Sequence, residues 1–135
     1  NQAFLNRAFH CESFPSHITD GCDALIEKLF HIAETDALRI HAATADPTHL
    51  HVLVSWDDER SFTKVRGRIR NLLSLHLSRR AGTTGRPWFV QGASRKRVED
   101  ERHYHYLIKV YLPKHRGWQW YEGKGWREPP SCDGG

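Results

Sequence analysis

The sequence predicts an α+β fold: a ferredoxin-like split βαβ palm, with an antiparallel sheet, helices on one face and an additional C-terminal tyrosine-bearing helix. Three observations carry this. Apolar spacing switches between period two and period 3.6 in the order β-α-β-β-α-β, then helix. The segment Asp46-Pro47-Thr48 is a tight turn that joins two strands into a hairpin. A chain of 135 residues, 39% hydrophobic and 27% charged, suffices for one core without staples.

Ala3 to Cys11 reads as a first strand, closed by Phe14-Pro15-Ser16. Thr19 or Asp20 can cap a helix to about Thr35, with Cys22, Leu25, Ile26, Leu29 and Ala33 as its apolar stripe and Asp36 ending it. Leu38 to Ala45 is expected as a second strand, with Leu38, Ile40 and Ala42 on one face and Arg39, His41 and Ala43 on the other. A third strand follows the turn. Asp57-Asp58-Glu59 then leads into a helix from about Ser61 to Arg80. Its stripe is Phe62, Val65, Ile69, Leu72, Leu73 and Leu77, and Arg66, Arg68 and Arg70 lie largely outward.

After the loop Gly82-Thr83-Thr84-Gly85, short strands are expected at Trp88 to Gln91 and Arg95 to Val98. Asp100 can cap a third helix to about Leu112, where Pro113 interrupts it. The palm is assigned to residues 1–117 and a Trp-, Gly- and Pro-rich tail to 118–135, expected to pack back onto it.

No stretch reads as a membrane span or a signal peptide. The sequence contains no Met and begins at Asn1, so the start codon, and a short N-terminal piece with it, is expected to lie outside it. Three cysteines, Cys11, Cys22 and Cys132, form no CxxC pair, which suggests a reducing, cytoplasmic setting and argues against a structural zinc site. The net charge of +4 is unevenly placed. Basic residues crowd Lys64 to Arg70, Arg79-Arg80, Arg86 and Arg95-Lys96-Arg97, interleaved with Trp88 and Phe89. That mixture suits phosphate contacts with base stacking.

The third strand carries the chemistry. In Pro47-Thr48-His49-Leu50-His51-Val52-Leu53-Val54-Ser55-Trp56, alternation puts His49 and His51 on one face and Leu50, Val52 and Val54 on the other, towards the helices. Two neutral imidazoles side by side on a rigid strand can bind one divalent cation. The face they occupy is expected to be open. The third helix adds Tyr104, Tyr106 and Tyr111, any of which could serve as a covalent nucleophile. Glu99, Asp100 and Glu101 read as a helix start.

Thr48-His49-Leu50-His51-Val52-Leu53-Val54 resembles the His-hydrophobic-His motif of HUH endonucleases, and more narrowly of the single-tyrosine transposases of insertion sequences and their REP-associated relatives. Trp88-Phe89-Val90-Gln91-Gly92-Ala93-Ser94-Arg95 is similar to that family's Trp-x-x-Gly segment. Val98 to His103, followed by Tyr111-Leu112, looks like its acidic helix start and tyrosine.

The resemblance implies a palm that binds single-stranded or hairpin DNA and a Mg²⁺ or Mn²⁺ ion. It implies a metal-dependent single-strand endonuclease and strand transferase that passes through a 5′-phosphotyrosine. His49 and His51 become metal ligands, Tyr111 the nucleophile, and His115, about one turn beyond it, the third ligand, with His41 a rival for that place. Tyr104 and Tyr106 stay open as nucleophiles, because an ungapped register falls on Val110. Pro113 lies between Tyr111 and His115, so the helix is expected to end or kink there. Arg66, Arg70, Arg95, Lys96 and Arg97 are candidates for phosphate contact, and Lys109 for charge stabilisation near the tyrosine. Related enzymes are monomers or swapped dimers, so a homodimer stays open. The rival reading is a domesticated module of the same fold that holds hairpin DNA or RNA without cutting it.

Overall fold

The computed structural model describes residues 8–15, 18, 21–83, 87–89 and 95–130. The elements are β1 (Ala8–Ser13), α1 (Cys22–Asp36), β2 (Arg39–Asp46), β3 (His49–Ser55), α2 (Phe62–Ala81), β4 (Arg95–Arg97), α3 (Glu101–Tyr106), β5 (Trp118–Tyr121) and β6 (Gly125–Arg127). The strands form one sheet in the order β4-β1-β3-β2-β5-β6, with every neighbouring pair antiparallel. Its first four strands and two helices are the expected split βαβ unit.

Alternation along the central strands builds two cores. Leu50, Val52 and Val54 of β3 face α1 and α2, meeting Leu25, Ile26 and Leu29 from one helix and Val65, Ile69 and Leu73 from the other. Burying each such side chain stabilises the fold by roughly 1.5–3 kcal/mol. Leu53 points the other way, into a smaller cluster with Ala8, Ala42, Val98, Leu107, Leu112 and Tyr121. The second face is therefore covered by α3 and its continuation, and is not the open face expected from the pattern.

Three local features depart from the sequence reading. Cys22 begins α1 after Gly21, whose φ of 76° only glycine adopts without strain, and no side chain caps the helix. Thr19 and Asp20 lie outside the described residues. In β2 the pairing with β3 skips His41, between Ile40↔Val54 and Ala42↔Leu53, so the strand carries a β-bulge. From there the faces invert: Ala43 and Ala45 join Ile40 against the helices, and Ala42 joins the second core. Finally, residues 118–127 form a hairpin that extends the sheet, β5 pairing with β2 from Ala42↔Tyr121 to Ala45↔Trp118. Gly117 lets this strand approach, since a Cβ there would run into the Ala45 carbonyl.

Other readings hold. Ser61 caps α2, its hydroxyl accepting from Lys64 N–H, and Asp100 caps α3 by accepting from His103 N–H. Of the strand expected at Trp88 to Gln91, Phe89 makes an isolated bridge to Pro15, Trp88 belongs to no strand, and Val90 and Gln91 lie outside the described residues. Among the described residues, no helix is long and apolar enough to cross a membrane. Cys11 is half-buried and Cys22 is buried, and Cys132 is outside the described set.

Candidate functional site

The site lies on the second face, where β1 and β3 run side by side. Their register sets Glu12 opposite His51 and His10 opposite Leu53. His51 is fully buried. Its Nδ1 is 3.0 Å from His10 Nε2, and the two rings stack at 5.2 Å. On its other side, His51 Nε2 lies 3.4 Å from Glu12 Oε2 yet makes no hydrogen bond. His49 sits at the rim with 45% of its side chain exposed and Phe14 edge-on to its ring at 5.7 Å.

The tyrosine enters from above through an unusual helix. α3 is regular to Tyr106, then Leu107–Tyr111 forms a π-helical turn, closed by Leu112 N–H donating to the Leu107 carbonyl. A π turn holds one more residue than an α turn. That extra residue matches the one-residue offset between Val110 and Tyr111 in the sequence register. Val110 is exposed, whereas Tyr111 turns inwards among the imidazoles. Ring centroids place Tyr111 5.4 Å from His10, 5.8 Å from His51 and 5.2 Å from His115.

Pro113 does end the helix, in a 3₁₀ turn over Leu112–Lys114. His115 is extended, and its ring still reaches to 4.1 Å from His51. Gln119 of β5 secures that position, its amide donating to the His115 carbonyl at 2.5 Å and its own oxygen accepting from Tyr121 at 2.6 Å. So Tyr111, His51 and His115 come together, with His49 at the edge of the same face.

Hydrogen bonds fix how two of these rings present themselves. His115 Nδ1 lies 3.1 Å from the Leu112 carbonyl, which can only accept, so this nitrogen carries the proton. His49 Nδ1 lies 2.9 Å from the Thr48 hydroxyl and 3.2 Å from the Asp46 carboxylate, and the carboxylate, which can only accept, favours the proton on this nitrogen. With the proton on Nδ1, the ligating lone pair of an imidazole is the one on Nε2. Burial, reinforced by the charges of His115, His10 and His49, lowers the pKa of His51 to about 3. Burial, with His103, His115 and Lys96 behind it, lowers that of His10 to about 4. Burial, followed by Glu12 and Tyr106, raises the Tyr111 phenol above its ordinary range.

Other candidates lie elsewhere. The bulge turns His41 towards the far end of α3, where its Nε2 is 2.7 Å from Ser55 Oγ and its Nδ1 is 3.3 Å from Tyr104 Oη. Glu122, held by Arg39, stands 3.7 Å from the same Nδ1. Tyr104 is thus engaged with His41 and not with His51. Tyr106 is exposed, its ring 6.2 Å from that of Tyr111.

Lys96 pairs with His10 and so shares the site face, while Lys109 is exposed on the π turn. Arg66 and Arg70 line a small crevice against Cys11, Leu50 and Val52 on the helix side of the sheet, Arg70 lying over Phe89 at 5.4 Å. Arg97, exposed, is in register with Phe9 on that same side. Arg95 belongs to β4, but its side chain is outside the described set.

Sequence reasoning missed His10, Glu12 and Gln119. A signal existed for the first two: they alternate with Phe9 and Cys11 on a strand, as His49 and His51 do with Leu50 and Val52. Only the β1–β3 register makes the two pairs neighbours. Gln119 gave no signal, because its role depends on the tail becoming a strand.

Among the described residues, no group of three or more His, Cys, Asp or Glu side chains is placed so as to hold a metal ion. No family model and no curated protein matches the sequence. Solved structures do match. One is a REP-associated tyrosine transposase bound to a REP hairpin, with TM-score 0.59 and 10% identity, covering 84% of this chain and 68% of that one. Another is a provisionally assigned transposase from Deinococcus radiodurans R1, with TM-score 0.58 and 14% identity, covering 79% of this chain and 88% of that one. The split βαβ sheet, the covering helix and these likenesses agree: the chain has the fold of the tyrosine transposases that its motifs resemble.

Proposed function

We propose that the protein is a metal-dependent single-strand DNA endonuclease and strand transferase of the transposase type, with Tyr111 as nucleophile and hairpin DNA as substrate. One observation carries it: Tyr111 is turned by the π turn into a face where His51 and His115 lie within 6 Å of its ring centre. The structural neighbour bound to a REP hairpin supports hairpin DNA as the partner.

His49, His51 and His115 would hold the cation, Mg²⁺ or Mn²⁺. The donor set fits, because neutral imidazoles with bare Nε2 atoms are ligands as they stand, and the Nε2 of His51 is buried without a hydrogen-bond partner. A bound divalent ion would supply Lewis-acid polarisation of the scissile phosphate.

Tyr111 Oη forms a bond to phosphorus as the P–O3′ bond breaks. The phenol gives up its proton and the leaving 3′-oxygen gains one, leaving a 5′-phosphotyrosine and a 3′-hydroxyl that can reverse the step. Because burial raises the Tyr111 pKa, the phenol needs a proton acceptor when it attacks. Lys96 and Lys109 would meet phosphates near the break, with Arg66, Arg70, Arg95 and Arg97 contacting flanking DNA.

The test is incubation with a pool of labelled hairpin DNAs and Mn²⁺, resolved on a denaturing gel. A covalent protein–DNA band that needs the cation and vanishes in Tyr111→Phe is expected. Tight binding with no band across the pool would instead identify a non-cleaving hairpin-binding module.

A further inference from the structure

We infer that β1 supplies the missing half of the cation site: His10 is a positioning residue that keeps the proton of His51 on Nδ1, and Glu12 is an anionic ligand facing the nitrogen thereby left bare. This rests on the reading that the site takes a divalent cation, and it adds two residues to the set of His49, His51 and His115.

The three imidazoles share one pattern. His49 Nδ1 has the Asp46 carboxylate at 3.2 Å as an acceptor, with the Thr48 hydroxyl also at 2.9 Å, and His115 Nδ1 has the Leu112 carbonyl. The corresponding partner of His51 Nδ1 is His10 Nε2, at 3.0 Å. Asp46, the Leu112 carbonyl and His10 thus play one role three times, each orienting a ring so that Nε2 is turned out.

Glu12 follows from what remains. With the His51 proton on Nδ1, a buried lone pair and a carboxylate oxygen face each other across 3.4 Å, and no hydrogen bond joins them. Two acceptors at that distance are unfavourable in a water-poor site unless they share a cation. Two ligand atoms at right angles on an ion with bonds of about 2.1 Å stand roughly 3 Å apart, so a small closing movement brings this pair to a common ion. A carboxylate beside imidazoles suits Mg²⁺ or Mn²⁺ and contributes a full negative charge that the three histidines lack.

The experiment is calorimetric titration of Mn²⁺ into the full chain without DNA, using wild type, Glu12→Gln, Glu12→Asp, His10→Ala and His10→Asn, with nitrogen-15 NMR of His51 in the metal-free wild type. Glu12→Gln should weaken Mn²⁺ binding at least tenfold without lowering the metal-free melting temperature, and Glu12→Asp should recover part of it. His10→Ala should weaken binding roughly 10–100-fold, and His10→Asn, whose amide oxygen can accept from Nδ1–H, should restore most of it. NMR should find the His51 proton on Nδ1. Affinity within twofold of wild type for Glu12→Gln overturns its role as ligand. A His51 proton on Nε2 overturns the role of His10 and needs no variant to fold. The titration contains no DNA, so failure of the phosphotyrosine reading leaves it unaffected; covalent adducts from a protein whose Mn²⁺ affinity ignores Glu12 overturn this inference alone.

Discussion

At residue scale, Tyr111 and Gln119 separate chemistry from support. Tyr111→Phe removes one hydroxyl from a half-buried ring, so hairpin binding and melting temperature should stay near wild type while the covalent band disappears. Gln119→Leu does the reverse. Buried Gln119 joins the His115 carbonyl to the Tyr121 hydroxyl, and its loss strands both. A cost of about 1–3 kcal/mol is expected in urea unfolding, with weaker adduct formation because His115 loses its anchor. The histidine pair on β3 was legible in the sequence because strand alternation is a local rule. His10 and Glu12 obey the same rule on β1, but their meaning depends on a partner strand some 40 residues away, which periodicity does not specify.

The most informative element is the interrupted helix. If the π turn exists to absorb one extra residue, deleting Val110 should let Leu107 onwards close as an α-helix with the tyrosine still facing His51. Such a deletion should keep the covalent band and hold or raise the melting temperature. Deleting Arg102, in the regular part, should rotate everything beyond it by about 100° and abolish the band. The helix itself could be read from Asp100 and its apolar spacing, but no propensity encodes a π turn. The bulge at His41 was hidden for a related reason. It changes no composition, yet it inverts the faces of β2 and carries a histidine away to Tyr104.

At the scale of the whole molecule, charge and burial set the solution behaviour. His10, His41 and His51 are held neutral by burial, with pKa values of about 4, 4 and 3. An unfolded chain takes up protons at these positions below about pH 6.5 and the folded chain does not. Stability of the metal-free protein is therefore full above pH 6.5 and falls as the pH drops towards 4, by about 1.4 kcal/mol per displaced unit per group. Urea unfolding in chelator at pH 7 and pH 4.5 checks this, and equal midpoints would refute it.

The basic residues divide between two faces, which the sequence alone did not separate. Replacing Lys96 and Lys109 with Ala should weaken hairpin binding and flatten its salt dependence, with the larger loss in cleavage. Replacing Arg66 and Arg70, across the sheet, should reduce binding more than cleavage of bound hairpin. The sheet and its two long helices were readable because their apolar stripes are regular. Closure of the second face was not, since α3 itself buries no residue and its continuation buries a single pair, Leu107 and Leu112, beneath polar and aromatic residues.

The most direct measurement is mass spectrometry of the covalent adduct after nuclease trimming and proteolysis. A nucleotide attached to Tyr111 through its 5′-phosphate is expected. Attachment to Tyr104 or Tyr106, or to no tyrosine at all, would contradict the assignment of this site.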